Sequence, residues 1–322
     1  MIGLILLLQT LVVAVSGPTT SPEYLPVRVA DAAGLFAREG LSVMLKTTRA
    51  EVGAAEALGQ GQADLAATSL EAMLRFGPRV PTQAPRLVFG LTAAPPVALI
   101  VSSQHAGTVR TIKDLRGKRV GLAAPGAPEH TWLLTLLVRG GLRPNEVDMV
   151  SLGAKGLVAA LENGEVEAGL FPEPFASRML AQGHAVLADL RTPAGVAKAL
   201  GTAGVGAAVF ARADRRPADP ELAAFTRALL AAEAMLTAGD AATLATQLPP
   251  GLVGIPDEFQ HRVEVSRGIY LADGTVTPQM LLEGIAVARE NQPLPLTLRI
   301  PKPSDFLLLG PFRSTAQPLR HK

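Results

Sequence analysis

Residues 57–66 read Ala-Leu-Gly-Gln-Gly-Gln-Ala-Asp-Leu-Ala, and residues 160–169 read Ala-Leu-Glu-Asn-Gly-Glu-Val-Glu-Ala-Gly. In both segments Ala-Leu precedes an amide-Gly pair, an acidic residue and small residues. The shared glycine predicts the left-handed C-cap of a helix. The acidic residue predicts a turn into a strand of small residues. We therefore predict two similar α/β lobes. The alternative is a chance match between two alanine-rich segments.

Composition limits the classes of protein to which the chain can belong. Its 322 residues predict two domains, or one domain with extensions. Hydrophobic residues make up 48% and charged residues 18%, which excludes a disordered chain. The net charge of +2, without a run of Lys or Arg, argues against a nucleic-acid partner. The absence of cysteine excludes disulfides, thiolate zinc sites, iron–sulfur clusters and cysteine nucleophiles.

Predicted strands and helices alternate along both halves of the chain. The strands are predicted at 11–16, 41–45, 63–68, 87–91 and 97–101, and then at 119–123, 147–152, 168–171 and 185–187. The helices are predicted at 23–39, 50–59, 70–76, 130–139, 156–163 and 174–182, with one helical turn at 112–115. This alternation predicts βαβ units and a mostly parallel sheet in each half.

The apolar N-terminal run has two interpretations. Residues 4–15 are too short to span a bilayer. They have the length of a signal-peptide core, but no Lys or Arg precedes them. We favour a buried first strand at 11–16, which leaves residues 1–10 as a leader, a remnant or a misplaced start. Residues 311–322 are predicted to be a disordered tail.

Two polar segments of the first half are candidates for ligand contact, because ligands bind at the carboxyl ends of strands in open α/β sheets. Thr19, Thr20 and Ser21 lie between the first strand and a helix N-terminus. Ser21 could instead serve only as the N-cap of that helix. The pair Thr68 and Ser69 repeats this placement, and Ser69 has the same alternative role.

The second half supplies four further candidates. Gly126 lies in a strand-to-helix loop, where glycine permits close approach of the backbone to a ligand. Glu129 and His130 follow it, and Glu129 could serve only the helix dipole. Glu173 stands between Pro172 and Pro174, which hold its backbone rigidly and so favour a specific partner for its carboxylate.

Signals for an enzyme are weak. The chain contains no G-x-S-x-G, H-E-x-x-H, Walker A or G-x-G-x-x-G motif. Its five histidines are dispersed without the spacing of metal ligands. We therefore predict reversible capture of a ligand, with no cofactor and no metal. The alternative is an enzyme that acts through Glu129, His130 and Glu173.

Several further motifs resemble the substrate-binding proteins of ABC transporters, of the nitrate, sulfonate, taurine and thiamine-precursor type. They are Ser21-Pro22-Glu23-Tyr24-Leu25-Pro26, Val29-Ala30, Gly34-Leu35-Phe36, Glu39-Gly40-Leu41-Ser42-Val43, Gly61-x-Ala63-Asp64, Ile112-Lys113-Asp114-Leu115-Arg116-Gly117-Lys118-Arg119-Val120-Gly121 and Gly164-x-Val166-x-Ala168. The resemblance covers residues 11–235 and extends more loosely to about residue 309.

This resemblance implies an α/β, two-lobed type II periplasmic-binding architecture, with two mostly parallel sheets flanked by helices. We expect a first lobe at 10–93, a second lobe at 94–204, and a return to the first lobe with C-terminal helices at 205–310. The hinge is expected at 92–96 and 202–206. We add Tyr24 to the candidate contacts of the first lobe.

The resemblance also implies a partner set and a location. We expect a small-molecule ligand, an ABC permease and its ATPase as partners of a monomeric protein. The location would be periplasmic or otherwise extracytoplasmic, at the membrane through the permease. A cytoplasmic biosynthetic protein or sensor remains an alternative, because enzymes that make the thiamine pyrimidine resemble the same fold. Those enzymes are rich in histidine and cysteine, and this chain has no cysteine.

The charge of the candidate loops indicates the kind of ligand. These loops carry Glu23, Glu71, Glu129 and Glu173 but no Arg or Lys. Nearby carboxylates raise the free energy of binding an anion. We therefore favour a nitrogenous, neutral or cationic compound, which would use Glu173 as an acceptor, over a sulfonate or nitrate. The alternative is that Glu23, Glu71 and Glu129 serve helix dipoles and point away from the cleft.

Overall fold

A computed structural model describes residues 10–123, 128–201, 204–290, 294–296 and 302–308. Within these ranges the strands form two five-stranded sheets, in the orders β2-β1-β3-β10-β4 and β7-β6-β8-β5-β9. We call the first sheet with its helices the first lobe, and the second sheet with its helices the second lobe. The strands are β1 Leu11–Val15, β2 Val43–Thr47, β3 Leu65–Ser69, β4 Pro85–Gly90, β5 Val97–Val101, β6 Arg119–Leu122, β7 Asp148–Ser151, β8 Ala168–Pro172, β9 Ala185–Asp189 and β10 Ala207–Arg212.

Helices connect most of the strands and extend the first lobe at its C-terminal end. Short 3₁₀ helices occupy Pro22–Tyr24, Pro81–Gln83, Ile112–Leu115, Pro144–Glu146 and Arg267–Ile269. The α-helices are α1 Leu25–Ala32, α2 Leu35–Arg38, α3 Glu51–Gly59, α4 Leu70–Phe76, α5 Pro128–Arg139, α6 Gly153–Glu162, α7 Phe175–Ala181, α8 Pro193–Leu200, α9 Asp219–Ala238, α10 Ala241–Gln247, α11 Pro250–Val253, α12 Pro256–Ser266, α13 Pro278–Glu290 and α14 Pro303–Phe306.

The sheets are mixed, and the reason lies in how the chain passes between them. In the first sheet β10 runs antiparallel to both of its neighbours, β3 and β4. In the second sheet β5 runs antiparallel to β8 and β9. Each of these strands is the first that the chain forms after it crosses from the other lobe. The expected two-sheet architecture is therefore confirmed, with one antiparallel strand per sheet.

The first strand is buried on both faces, as its continuous apolar sequence predicts. Val13 and Val15 pack into one core cluster, and Ala14 packs into a second cluster with Leu58 of α3. β1 pairs in parallel with β2 on one side and with β3 on the other. This central position places the loop after Val15 at the same sheet edge as the loop after β3.

The repeated sequence pattern produces the same local structure twice. Gly61 and Gly164 end α3 and α6 at φ angles of 71° and 70°, the left-handed conformation that favours glycine. The acidic residue that follows then accepts a hydrogen bond from the backbone of a neighbouring strand. Asp64 accepts a 2.9 Å bond from the backbone N–H of Val12, and Glu167 accepts a 2.9 Å bond from that of Arg119. The prediction of two similar α/β lobes is confirmed.

One predicted helix is interrupted. In place of a helix at 23–39 the structure has a 3₁₀ turn, α1 and α2, because Gly34 adopts a φ of 66° between the two α-helices. The strand β10 and the helices α8 to α14 are not predicted one by one from the sequence. The predictions for residues 1–9 and 311–322 lie outside the described residues.

The two segments that cross between the lobes are bonded to each other. The buried Thr92 hydroxyl accepts a 2.9 Å bond from the backbone N–H of Ala207, and the Thr92 carbonyl accepts one of 2.8 Å from Gly206. Thr202 and Ala203 of the expected hinge lie outside the described residues. The role of these segments as a hinge stays a prediction.

The Thr92 hydroxyl supplies a first test. We expect Thr92→Val to lower the free energy of unfolding by about 1–3 kcal/mol, because it leaves the buried Ala207 N–H without an acceptor. Thr226→Val is the matched control, since the Thr226 hydroxyl is buried without a hydrogen-bond partner. Urea denaturation of both variants measures the difference. Equal effects of the two substitutions would contradict the role of Thr92.

Candidate functional site

Two adjoining pockets lie where the lobes face each other. The larger encloses about 450 Å³, part of it open to solvent, and the smaller about 270 Å³. Glu23, Pro95 and Trp132 line both pockets, so the two form one continuous cleft. Pro95 belongs to a crossing segment and Trp132 to α5 of the second lobe. The cleft is therefore bounded by both lobes and by one of the segments that connect them.

Four glutamates line this cleft, and each lies in the first turn of a helix. Glu51 begins α3, Glu71 is in the first turn of α4, Glu129 is in the first turn of α5, and Glu23 is in the 3₁₀ turn after β1. A carboxylate is stabilised near a helix N-terminus by the dipole. Glu23, Glu71 and Glu129 nevertheless face the cleft, so the alternative that they point away from it is wrong.

Glu51 is held by three donors of the first lobe. Its Oε1 accepts a 2.5 Å bond from the Tyr24 hydroxyl, and its Oε2 accepts bonds of 3.2 Å from Thr68 Oγ1 and 2.6 Å from the Ser69 backbone N–H. Tyr24 and Thr68 are fully buried. These three bonds hold the Glu51 carboxyl group in one orientation at the wall of the smaller pocket.

The cleft raises the pKa of both Glu23 and Glu129. Burial, with the nearby charge of Glu51, raises the pKa of Glu23 to about 8, although the Ser21 hydroxyl donates to its Oε2 at 2.8 Å. Burial is also the main cause that raises the pKa of Glu129 to about 7, with the charges of Glu51 and Glu71 adding to it. At neutral pH the cleft therefore holds both protonated and ionised carboxyl groups.

Glu71 joins the two lobes. Its carboxyl group accepts a hydrogen bond from the Thr131 hydroxyl of α5. It also forms an ion pair with Arg75 of α4, with 2.8 Å between Oε1 and Nε. Burial raises the pKa of Glu71, and these two partners oppose the rise. Thr131 is itself buried and lines the larger pocket. The bond from Thr131 to Glu71 thus closes one side of the cleft.

Two ion pairs at the surface also join the lobes. Arg139 at the end of α5 meets Glu290 at the end of α13 with bonds of 3.0 and 3.1 Å. Arg178 of α7 pairs with Glu258 of α12. Each pair connects a helix of the second lobe to a C-terminal helix of the first. The structure is therefore that of a closed cleft.

Glu173 has partners of its own within the second lobe. The carboxylate accepts 2.7 Å and 2.8 Å bonds from the Ser177 hydroxyl and Arg191 Nη1, and it is 5% exposed. Arg191 also pairs with Asp189, and these bonds raise its pKa. The rigid backbone around Glu173 does predict a specific partner. That partner is Arg191, which follows β9 and lies outside the candidate ligand loops.

The structure places the predicted site residues at different depths. Ser69 and Glu129 line the cleft. Ser21, Tyr24 and Thr68 lie one layer behind it, bonded to Glu23 or Glu51. Four predicted residues are not among those that line the two described pockets, namely Thr19, Thr20, His130 and Glu173. Gly126 lies outside the described residues.

Ser21 and Ser69 each precede the first turn of a helix, and their side chains differ in whether they cap it. Ser21 occupies the N-cap position of the 3₁₀ turn, as predicted, but its side chain makes no capping bond because its hydroxyl donates to Glu23. Ser69 does cap α4 and accepts a 3.1 Å bond from the N–H of Ala72. The Thr19 hydroxyl, which is exposed, donates to the carbonyl of Gly251 at 3.2 Å.

Two important cleft residues are absent from the predicted set. Glu51 and Trp132 both line the cleft. A signal was available for Glu51, which begins a helix directly after a strand, as Glu71 and Glu129 also do. Trp132 is the one tryptophan of the chain and follows Glu129 within the same helix. Its half-buried indole adds a flat apolar wall to a cleft that four glutamates also line.

The described lining of the cleft offers carboxyl groups, hydroxyls, an indole and aliphatic side chains. Among the described residues that line either pocket there is no Arg, Lys or His. Across the described ranges, no group of three or more His, Asp or Glu side chains could hold a metal ion. No described helix is both long and apolar enough to cross a membrane. The arrangement fits a small molecule that donates hydrogen bonds and offers a flat face.

Comparison with known proteins gives a family and a fold. A family model described as NMT1/THI5 like matches residues 21–236, more than half of the chain. A 4-amino-5-hydroxymethyl-2-methylpyrimidine phosphate synthase of Schizosaccharomyces pombe is 25% identical over 150 residues. That match spans 47% of this chain and 41% of the synthase, so it covers less than half of the relative.

Solved structures share the architecture over almost the whole chain. A structure from Bordetella bronchiseptica RB50 is 22% identical, with a TM-score of 0.77, and the match covers 95% of this chain and 96% of that one. The periplasmic aliphatic sulphonate binding protein of Escherichia coli is 19% identical, with a TM-score of 0.68 and coverage of 88% and 90%. These matches confirm the expected periplasmic-binding fold and the resemblance to sulfonate-type binding proteins.

The Glu173–Arg191 pair supplies a second test. We expect Arg191→Met to lower the free energy of unfolding by about 3 kcal/mol, because it leaves a buried carboxylate without its cation. Arg116→Met is the matched control, since it breaks the exposed pair with Glu146 and should cost less than about 1 kcal/mol. Urea denaturation at pH 7 measures both. A loss for Arg191→Met no larger than the control's would contradict the structural role of the pair.

Proposed function

The chain belongs to the NMT1/THI5-like family, and we propose that it is the substrate-binding component of an ABC import system. In this role it captures one small polar molecule in the cleft between its lobes. The observation that carries the proposal is the closed cleft itself, lined by both lobes and joined across by Thr131 and Glu71. Burial of a ligand by two lobes that close about connecting segments is a known mode of capture.

The fold likeness supports this role in a general way. The sulphonate binding protein of Escherichia coli shares the two-lobed fold at 19% identity, which is evidence for the fold alone. We extend its transport role to this chain as part of the proposal. An ABC permease with its ATPase would then be the partner, the protein would act as a monomer, and its location would be extracytoplasmic.

The residues of the cleft indicate the class of ligand. Glu51 offers a fixed carboxylate, while Glu23 and Glu129 add two further carboxyl groups. Each can accept hydrogen bonds from an amino group or a protonated ring nitrogen. Trp132 offers a flat surface on which an aromatic ring, and above all a cationic ring, would stack. We therefore propose a nitrogen heterocycle with amino substituents, neutral or cationic, as the ligand.

An oxyanion fits the same cleft poorly. A sulfonate is normally held by basic side chains or by free N–H groups at helix N-termini. In this cleft no described lining residue is basic, and the Ser69 N–H at the start of α4 is already donated to Glu51. Within the proposal, Glu51 with Glu23 and Glu129 takes the acceptor role that the sequence suggested for Glu173.

A second candidate function is an enzyme that acts on a small heterocycle. Its support is the 25% identity to a pyrimidine phosphate synthase, together with two carboxyl groups whose raised pKa values suit proton transfer near pH 7. The absence of cysteine distinguishes this chain from the enzymes that make the thiamine pyrimidine. We rank capture without chemistry above this candidate.

Calorimetry provides the test of the proposed function. We expect a 4-aminopyrimidine to bind the full chain at pH 7.5 and an alkylsulfonate of similar size to give no heat. Glu51→Gln should weaken binding about 10- to 100-fold, because it removes a charged acceptor. Glu56→Gln is the matched control, since Glu56 is exposed on the same helix and should leave the affinity unchanged.

Three results would count against this proposal. Tight binding of the alkylsulfonate, retained in Glu51→Gln, would contradict the ligand class. Equal weakening by Glu56→Gln would remove Glu51 from the site. Conversion of the bound heterocycle, detected by mass spectrometry after prolonged incubation, would favour the enzyme over the carrier.

A further inference from the structure

We propose that the carboxyl groups of Glu23, Glu51 and Glu129 form an electrostatic gate, which opposes closure of the lobes unless a proton or a cationic ligand lies among them. This inference rests on the proposed function, since it describes how the same cleft would be controlled. It concerns the closure step, so it can be tested in the absence of any ligand.

The three carboxyl groups come from both sides of the cleft. Glu23 and Glu51 belong to the first lobe, and Glu129 begins α5 of the second lobe. All three line the smaller pocket, together with Trp132 and the crossing-segment residue Pro95. Closure therefore brings negative charges of the two lobes towards each other in a cavity where all three side chains are half-buried. Like charges repel most strongly in such surroundings.

The charged groups around the pocket do not neutralise this repulsion. Arg75 is paired with Glu71, and Arg28 donates to the carbonyls of Ser16 and Gly17. Burial lowers the pKa of His130, which favours its neutral form. The titratable side chains that interact with the three carboxyl groups are Tyr24, Glu71 and Tyr270. Behind them, Arg28 lies near Tyr24, and Arg262 lies near Tyr270.

Protonation of Glu23 and Glu129 removes the repulsion, so closure of the lobes depends on pH in one direction. In the closed cleft, burial raises the pKa of Glu23 to about 8 and that of Glu129 to about 7, from an ordinary value of 4.5. In an open, hydrated cleft these values return towards the ordinary one. Closure of the empty protein is therefore favoured in acid, and it is lost progressively as the pH rises through the closed-state pKa values.

A cationic ligand replaces the proton. When the cation enters, Glu23 and Glu129 can ionise beside it, and the protons they release pass to the solvent. An anion cannot take this place, because it would add a further negative charge to the pocket. The gate thus ties closure to the sign of the ligand's charge, so that an empty or anion-bearing cleft stays open at alkaline pH.

Fluorescence energy transfer between the lobes tests the gate directly. The chain contains no cysteine, so the double substitution Ala37→Cys and Ala159→Cys provides two unique labelling sites, both exposed, on α2 and α6. Without ligand, we expect the ratio of closed to open protein to fall at least about tenfold between pH 5 and pH 9. A constant ratio over this range would overturn the proposal.

Replacing the glutamates with glutamine is expected to keep the lobes closed at high pH, a gain that loss of folding would not produce. The double variant Glu23→Gln, Glu129→Gln should remain closed at pH 9, where the unsubstituted labelled protein opens. Glu56→Gln, exposed on α3, should open as the unsubstituted protein does. Opening of the double variant at pH 9 would contradict the gate.

A separate measurement distinguishes failure of the gate from failure of the proposed function. Calorimetry of a 4-aminopyrimidine at pH 7.5, in two buffers of different ionisation enthalpy, counts the protons released on binding. Release of protons supports the gate, and binding without release contradicts it. If the heterocycle does not bind while the empty protein still opens with pH, the ligand class is wrong and the gate stands.

Discussion

A single contact, made once in each lobe, sets the position of the strands on which the cleft depends. After the helix that ends at Gly61 or Gly164, an acidic side chain accepts a hydrogen bond from one backbone N–H near the start of a neighbouring strand. Asp64 thereby holds β3 beside β1, and Glu167 holds β8 beside β6. Because these strands are parallel, their carboxyl ends meet at one edge. The loops that carry Glu23 and Ser69 come together for this reason.

The same edge would ordinarily be an anion site, because helix N-termini present free N–H groups and a favourable dipole. This chain fills those positions with its own carboxylates. Glu51 accepts a hydrogen bond from the Ser69 N–H at the start of α4, and Ser69 Oγ accepts one from the N–H of Ala72. The described lining of the cleft therefore carries four carboxyl groups and no basic side chain. These carboxyl groups stand in first turns of helices, on a fold that imposes no charge preference of its own.

Local sequence was sufficient for features with a local cause. The glycine C-caps, the acidic turns and the buried strand β1 follow from short-range patterns, and these were predicted. The break at Gly34 was signalled by the glycine itself. What could not be predicted was pairing across long separations. Glu51 meets Tyr24 and Ser69 only because β1 and β3 are neighbours in the sheet, and no periodicity indicates such an approach.

The case of Glu173 shows a further limit of reading loops in isolation. Its flanking prolines indicate a fixed carboxylate, and the structure confirms that it is fixed. The cation that fixes it, Arg191, lies after β9, a strand that pairs with β5 rather than with β8. A buried carboxylate already paired with arginine has little left to offer a ligand, whereas Glu23 and Glu129 have no cationic partner among the described residues of the cleft lining. Carboxyl groups that face a cavity without a cationic partner are the ones whose free energy a ligand can change, and the ligand class that we propose rests on them.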